Sequence, residues 1–323
     1  MRARLAAFAR LSRFKFLAGG FTGGVFGTML AGFEGGRIDW PTYVVAQSTI
    51  TALHLMTHYA NEYYDRYADG RTPRTPYSGG SGVLRTGCLA PKVALYAALI
   101  CAAAGAVGAL ALWFVVRQPI AALAAITIGV LAWSYSAPPV RFCARGLGEV
   151  ATALIVGMLV PLCAFAAQRG WPDAFAALNT LPGAAAMFAM MLAVEYPDLA
   201  ADTATGKRNL VVRLGAKGSK PLALAAIVTV YLAVAAVFAA GAPPAYGILE
   251  SLSLPLSIGF VRTLLRHCEG DPSGDEALAG KGVALLFLVT FYGALAYGTV
   301  VPLHAGAAEN TETNRHMVAV EGM

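Results

Sequence analysis

Residues 43–69 read Y-V-V-A-Q-S-T-I-T-A-L-H-L-M-T-H-Y-A-N-E-Y-Y-D-R-Y-A-D, an apolar run that closes on an asparagine and two aspartates. The part up to Tyr59 is close to the ~20 residues with which an α-helix crosses a bilayer. Its end places Asn61, Asp65 and Asp69 at i, i+4 and i+8. On a helix these three stack on one face, about 6 Å apart along the axis. A second stretch, E-Y-P-D-L-A-A-D, puts Glu195, Asp198 and Asp202 at i, i+3 and i+7, again on one face. Asp198 and Asp202 follow Asp65 and Asp69 at a constant 133 residues, an offset that admits a parallel internal repeat. Carboxylates near a bilayer are costly, and sets of them mark functional sites more often than solvated faces.

The rest of the chain has the same apolar character. Of 323 residues, 57% are hydrophobic and 13% charged, and the mean hydropathy of +0.61 lies outside the balance of soluble domains. Apolar stretches at 16–33, 43–59, 93–116, 120–136, 150–167, 181–196, 221–240, 246–265 and 283–303 predict an all-α polytopic membrane protein. The expected fold is a bundle of nine helices around a central cavity. Twenty of the 24 basic residues fall in alternate connections, and only Arg37, Arg117, Arg169 and Arg315 lie on the other side. Because cytoplasmic loops collect Lys and Arg, this alternation predicts an N-in, C-out orientation in the inner, cytoplasmic membrane. It also puts both acidic clusters on the cytoplasmic face, where they can share one cavity.

The net charge of +6 is spread over these loops as membrane orientation requires, so no nucleic-acid role follows. Residues 1–15 form a basic N-terminus suited to an anionic leaflet. The first apolar run is Gly-rich and lacks a cleavage site, which favours a retained helix over a signal peptide. Residues 16–303 make one transmembrane domain, and 304–323 a polar tail expected to be disordered. The five cysteines contain no C-x-x-C pair, and so imply neither a disulfide framework nor a thiolate metal site.

Hard oxygen ligands favour Mg²⁺, which binds through one or two carboxylates, waters and substrate phosphates. A diphosphate bridged between two Mg²⁺ ions would complete the coordination that six acidic or amide oxygens leave open. Solvated helix ends paired with Arg66, Arg71 and Arg208 are the bland alternative for one cluster, and a poor one for two clusters of similar spacing. An ion-coupled carrier is the alternative of another class; it predicts carboxylates near the midplane rather than at one interface. The run 79–82, G-G-S-G, offers backbone amides for a phosphate or a lid hinge, or is plain loop. His54 and His58 lie one turn apart without the glutamate of H-E-x-x-H. They read as cavity lining, with His58 a candidate to orient an acceptor hydroxyl.

N-E-Y-Y-D-R-Y-A-D resembles the N-D-x-x-D-x-x-x-D motif of the UbiA superfamily of intramembrane prenyltransferases. D-L-A-A-D-T-A-T-G-K-R-N-L-V-V-R-L-G is similar to that family's second aspartate motif, in the form typical of its menaquinone-pathway branch. Y-S-A-P-P-V-R-F-C-A-R-G-L-G-E, from Tyr135 to Glu149, looks like its loop after the fourth helix. The resemblance implies Mg²⁺-dependent ionisation of a polyprenyl diphosphate and capture of the allylic cation by an aromatic acceptor, 1,4-dihydroxy-2-naphthoate in that branch. Other phenols, a tetrapyrrole, a sugar phosphate or a secondary metabolite stay open as acceptors. By the same resemblance, Asn61, Asp65 and Asp69 serve the first metal-diphosphate site, and Asp198 and Asp202 the second. Lys207 is placed to meet pyrophosphate, and Arg71, Arg74 and Arg141 to meet diphosphate or acceptor. Tyr135, His58 and Glu195 are further substrate-binding candidates. Three departures stand out: Glu62 for an aspartate, Glu195 for an asparagine, and Pro197 ahead of the second motif.

Overall fold

The computed structural model describes residues 2–71, 74–268 and 270–301. Every regular element among them is helical. A short helix α1 (Arg2–Leu11) precedes α2 (Leu17–Gly35) and α3 (Trp40–Tyr64). One turn, α4 (Arg66–Asp69), follows α3. Then come α5 (Pro91–Phe114), α6 (Pro119–Ser136), α7 (Gly148–Arg169) and α8 (Ala174–Glu195). A second short helix, α9 (Leu199–Ala204), leads into α10 (Leu210–Ala239), α11 (Pro244–Arg266) and α12 (Pro272–Gly298).

Eight helices among the described residues are long and apolar enough to cross a membrane. The expected second span, α3, has the length at 25 residues but is not among the eight. Gln47, His54, His58 and Asn61, the side chains that make it useful, lower its hydropathy. Two other spans start earlier than their apolar runs predict. Asn209 caps α10 by accepting the Val212 N–H at 2.8 Å, so the helix begins eleven residues before Pro221. The chain bends at Gly215, whose φ of +70° breaks the helical path. Asp271 caps α12 through Ser273 N–H at 3.1 Å, with Pro272 at the first helical position, so that helix starts well before Val283. The expected tail at 304–323 lies outside the described residues.

Lipid cannot drive helices together by the hydrophobic effect, so close packing must. At the α3–α5 contact, a Cβ on Gly105 would stand 2.4 Å from Leu53, and one on Gly108 2.1 Å from Thr49. Glycine is what lets these two backbones approach. The opposite side of α5 turns Ile100, Val107, Leu110 and Phe114 outward. In α7, residues Ala153–Leu159 wind as a π-helical stretch just before Pro161. Such wide turns recur at functional sites, and Ile155 and Val156 here face the central cavity. In α11, Glu250 is 1% exposed and neither carboxylate oxygen has a hydrogen-bond partner. It borders a void of about 10 Å³, at the lower limit for a single water.

Of the expected basic N-terminal stretch, residues 2–11 fold as α1. Its Ala7 and Leu11 bury against Tyr59, Ala60, Ala94 and Ala98 of α3 and α5. The Ser12 hydroxyl pairs with Tyr59 at 2.6 Å.

Candidate active site

A cavity of about 250 Å³ lies between α2, α3, α6, α7, α8 and α12. Ile50, Leu53, Ile128, Val156, Met190 and Phe287 give it apolar walls, while Arg13, Lys15, His58, Asn61, Tyr77 and Tyr135 form its polar end. Of the two acidic clusters Asn61 lines the cavity, and its 2.7 Å hydrogen bond to Asp65 Oδ2 puts the carboxylates beside that polar end.

α3 ends at Asp65, whose φ of −95° and ψ of 1° leave the helical range. The hydrogen bonds Asp65 N–H to Asn61 O (2.8 Å) and Asp69 N–H to Asp65 O (3.0 Å) nonetheless continue the helical spacing. The expected one-face stack therefore survives the break. Asn61 Nδ2 donates to Asp65 Oδ2 at 2.7 Å and to Ser136 Oγ at 3.0 Å. On the other side, Asp198 opens α9 with its N–H on the Glu195 carbonyl at 3.2 Å. One turn later, Asp202 accepts from Asn209 Nδ2 at 2.8 Å.

Lys207 joins the two clusters. Its Nζ lies 3.4 Å from Asp65 Oδ2 and 3.2 Å from Asp202 Oδ1. Burial works against its charge, but Asp65 and Asp202 outweigh that and hold its pKa above the ordinary lysine value. Arg141 adds a longer contact, Nη2 to Asp65 Oδ1 at 3.6 Å. Asp202 is pushed up by burial against the pull of Lys207. Asp69 is pushed up to about 8, by burial first and by the negative charge of Asp65 second. Asp198 is near enough to add to that shift, so all four aspartates share one field.

The remaining expected residues divide. Tyr135 lines the cavity, with Gly148 leaving room for its ring. His58 also lines it and is held by the N-terminal segment, Nδ1 to the Ser12 carbonyl at 3.2 Å. A carbonyl only accepts, so Nδ1 carries the proton and Nε2 of the neutral ring is an acceptor. Glu195 is buried against Glu149, and one oxygen of each has no hydrogen-bond partner. Arg71 is exposed on the turn after α4, and Arg74 is exposed beside Gly82. These two are not drawn onto the carboxylates as Arg141 is.

Several contributors were not among the expected site residues. Glu62 accepts from both Ser81 N–H (2.6 Å) and Ser81 Oγ (2.7 Å), with Arg13 at 3.8 Å. It thereby ties the 79–82 run down over Asp69. A Cβ on Gly80, at φ +63°, would come within 2.5 Å of Asp69 Oδ2. The loop backbone is thus packed onto the carboxylate, and Glu62, read as a departure, is its tether. Lys15 donates to the Pro76 carbonyl and sits over the Tyr77 ring, closing the same loop against the N-terminal segment. Cys143 places its thiol 3.8 Å from Asp65 Oδ2, and burial raises its pKa. Among the sequence signals, Asn209 was findable as a helix N-cap; the loop contacts join residues far apart in the chain.

No three acidic, histidine or cysteine side chains among the described residues converge on one ion position. The donors are nonetheless of the right kind. Asp65 Oδ1 is buried without a hydrogen-bond partner, and Lys207 brings one positive charge to the Asp65–Asp202 pair where a divalent ion would bring two. A set of hard oxygens that depends on substrate phosphates and waters fits Mg²⁺.

Residues 22–288 match the UbiA prenyltransferase family. Over 270 residues the chain is 24% identical to the 1,4-dihydroxy-2-naphthoate octaprenyltransferase of Bacillus subtilis (strain 168), covering 80% of this chain and 82% of that protein. The apo UbiA homolog of Aeropyrum pernix K1 has the same fold, with a TM-score of 0.67 at 13% identity over 88% of this chain and 98% of that one. The UbiA homolog of Archaeoglobus fulgidus bound to GPP and Mg²⁺ gives 0.65 at 15% identity, over 90% and 99%. The family match takes in both aspartate clusters and the helices that carry them, and on it the chain belongs to the UbiA prenyltransferase family.

Proposed function

We propose that this protein transfers a polyprenyl group from its diphosphate to an aromatic acceptor, with 1,4-dihydroxy-2-naphthoate the foremost acceptor. The observation that carries the reading is the meeting of two aspartate clusters across Lys207 at the polar end of an apolar cavity. Two Mg²⁺ ions fit the reaction, one held by Asn61, Asp65 and Asp69 and one by Asp198 and Asp202. When bound, Mg²⁺ supplies charge neutralisation for the departing pyrophosphate. Lys207 and Arg141 add fixed positive charge on the same side of the allylic bond. Below them, the apolar walls take the prenyl chain and keep water from the cation formed when the C–O bond ionises. Tyr135 and His58 border the polar end, where an acceptor ring would be oriented and its proton received, with Nε2 of His58 free to accept.

The similarity to the Bacillus subtilis naphthoate enzyme supports the acceptor. Structures of Archaeoglobus fulgidus homologs with GPP, DMAPP and Mg²⁺ support the donor and the metal. The one-sided distribution of basic residues supports a site facing the cytoplasm. The test is direct: purified protein in lipid nanodiscs, labelled prenyl diphosphate, Mg²⁺ and a panel of aromatic acceptors. Prenylated naphthoate with stoichiometric pyrophosphate is the expected result. Absence of both pyrophosphate and any prenylated product would sink the proposal.

A further inference from the structure

Arg141 and Lys207 reach Asp65 from two separate segments, the loop between α6 and α7 and the stretch between α9 and α10. Their registration depends on a seam away from the carboxylates. At its outer edge the exposed Arg213 donates Nε to the Arg208 carbonyl and Nη2 to the Arg145 carbonyl, each at 2.7 Å. Gly146 makes room for that side chain: at φ +69°, a Cβ there would stand 2.7 Å from Arg213 Nε and 2.9 Å from its Cδ. Between them, the Arg208 N–H reaches the Ala144 carbonyl at 3.2 Å. At the inner edge the fully buried Glu149 accepts the Leu210 N–H at 2.6 Å. Arg213 touches neither a carboxylate nor the cavity.

We propose that Arg213 is a positioning residue for diphosphate, holding Lys207 and Arg141 in register by stitching the two loops through their carbonyls. The inference rests on the prenyl-diphosphate reading of the site. A guanidinium suits this task because its planar fork places two donors at fixed spacing, whereas a lysine ammonium meets one carbonyl as a point charge. The first turn of α10 is set off from the rest of the span by the bend at Gly215. Without the stitch, the two segments keep only the Arg208–Ala144 and Leu210–Glu149 hydrogen bonds, the outer edge of the seam opens, and the site loses the alignment of its two cations. The side chain is exposed and contributes nothing to the apolar core, so loss of register is separable from loss of fold.

The experiment compares wild type, Arg213→Gln and Arg213→Lys in nanodiscs for binding of Mg²⁺-pyrophosphate, thermal midpoint, and KM for donor and acceptor. Expected is a weakening of pyrophosphate binding on the order of tenfold in Arg213→Gln, the scale of one or two lost hydrogen bonds. Donor KM should rise in step, while acceptor KM and thermal midpoint stay unchanged. Arg213→Lys should recover only part of the affinity. The proposal is overturned if Arg213→Gln binds pyrophosphate like wild type, or if both KM values and the thermal midpoint shift together. A wild type that fails to bind Mg²⁺-pyrophosphate would instead defeat the functional reading, and this inference with it.

Discussion

Asp65 meets Asn61 at 2.7 Å, Lys207 at 3.4 Å and Arg141 at 3.6 Å, whereas Asp69, one turn on, lies under the glycine loop and is pushed up to about 8. The two aspartates therefore respond differently to a metal. At neutral pH, metal-free Asp69 keeps its proton, and Mg²⁺ must displace it. Below about pH 8 the apparent Mg²⁺ affinity is expected to fall about tenfold per pH unit, with close to one proton released per site filled. Calorimetry in buffers of different ionisation enthalpy reads that proton. The native state here binds a proton that the unfolded chain gives up at the ordinary carboxylate value. Stability of the metal-free protein should therefore fall as pH rises from about 4 to 8. A midpoint that rises over this window would contradict the assignment. Removing the shared counter-charge in Lys207→Gln leaves two buried carboxylates facing each other. We expect kcat/KM to drop about 10²–10³-fold, the scale seen when one preorganised charge-stabilising donor is lost.

Among elements, the 79–82 run behaves as a tethered strap. Glu62 fixes it through both Ser81 groups, and Lys15 pins Pro76 at its near end. Glu62→Ala should free the strap, seen as faster proteolytic cleavage between residues 74 and 87 and a higher Mg²⁺ requirement; unchanged cleavage would mean that Lys15 alone suffices. The α3–α5 contact answers to a different test. At Gly108 the Thr49 side chain occupies the place of any Cβ, so Gly108→Val should cost about 1–3 kcal/mol of stability. Thermal unfolding in detergent would measure it. Periodicity and length made these helices legible, because an apolar run long enough to cross a bilayer has few alternatives. Their starts were less legible: Asn209 and Asp271 set α10 and α12 by capping polar residues outside the apolar runs. The strap and the Arg213 stitch were invisible for a further reason. Their partners are 19 and 68 residues apart and meet only through tertiary packing.

At the scale of the whole molecule, the cavity meets the carboxylates through Asn61 at its polar end, while the Glu250 carboxyl lies buried in α11 without a hydrogen-bond partner. The cost of a buried, unsatisfied polar group is about 1–3 kcal/mol. Glu250→Leu is accordingly expected to raise the thermal midpoint by about 2–4 °C and to leave turnover unchanged. A marked fall would mean that the carboxyl serves a ligand in the adjoining void. The pairing of two clusters across one cavity was readable from matched spacing and from the parity of the intervening spans. Arg71 and Arg74 were not separable from Arg141 by sequence, since all three are loop arginines and what sets Arg141 apart is a tertiary contact, Nη2 to Asp65 Oδ1 at 3.6 Å.

The π-helical stretch in α7 sets a phase relation between two ends of one span. A π turn holds one residue more than an α turn, so removing a single residue from 153–159 would restore ordinary winding. Each residue carries about 100° of rotation. The wide turn absorbs that extra residue, so the same residues wound wholly as α-helix would present either the cavity face or the α2-packing face correctly, but not both: Val156 lines the cavity and the Pro161 carbonyl fills the space against Gly27. A one-residue deletion there should thus keep both faces in phase, whereas a one-residue insertion, which a second wide turn would have to absorb, should damage prenyl-chain binding or bundle assembly while leaving every carboxylate in the sequence intact.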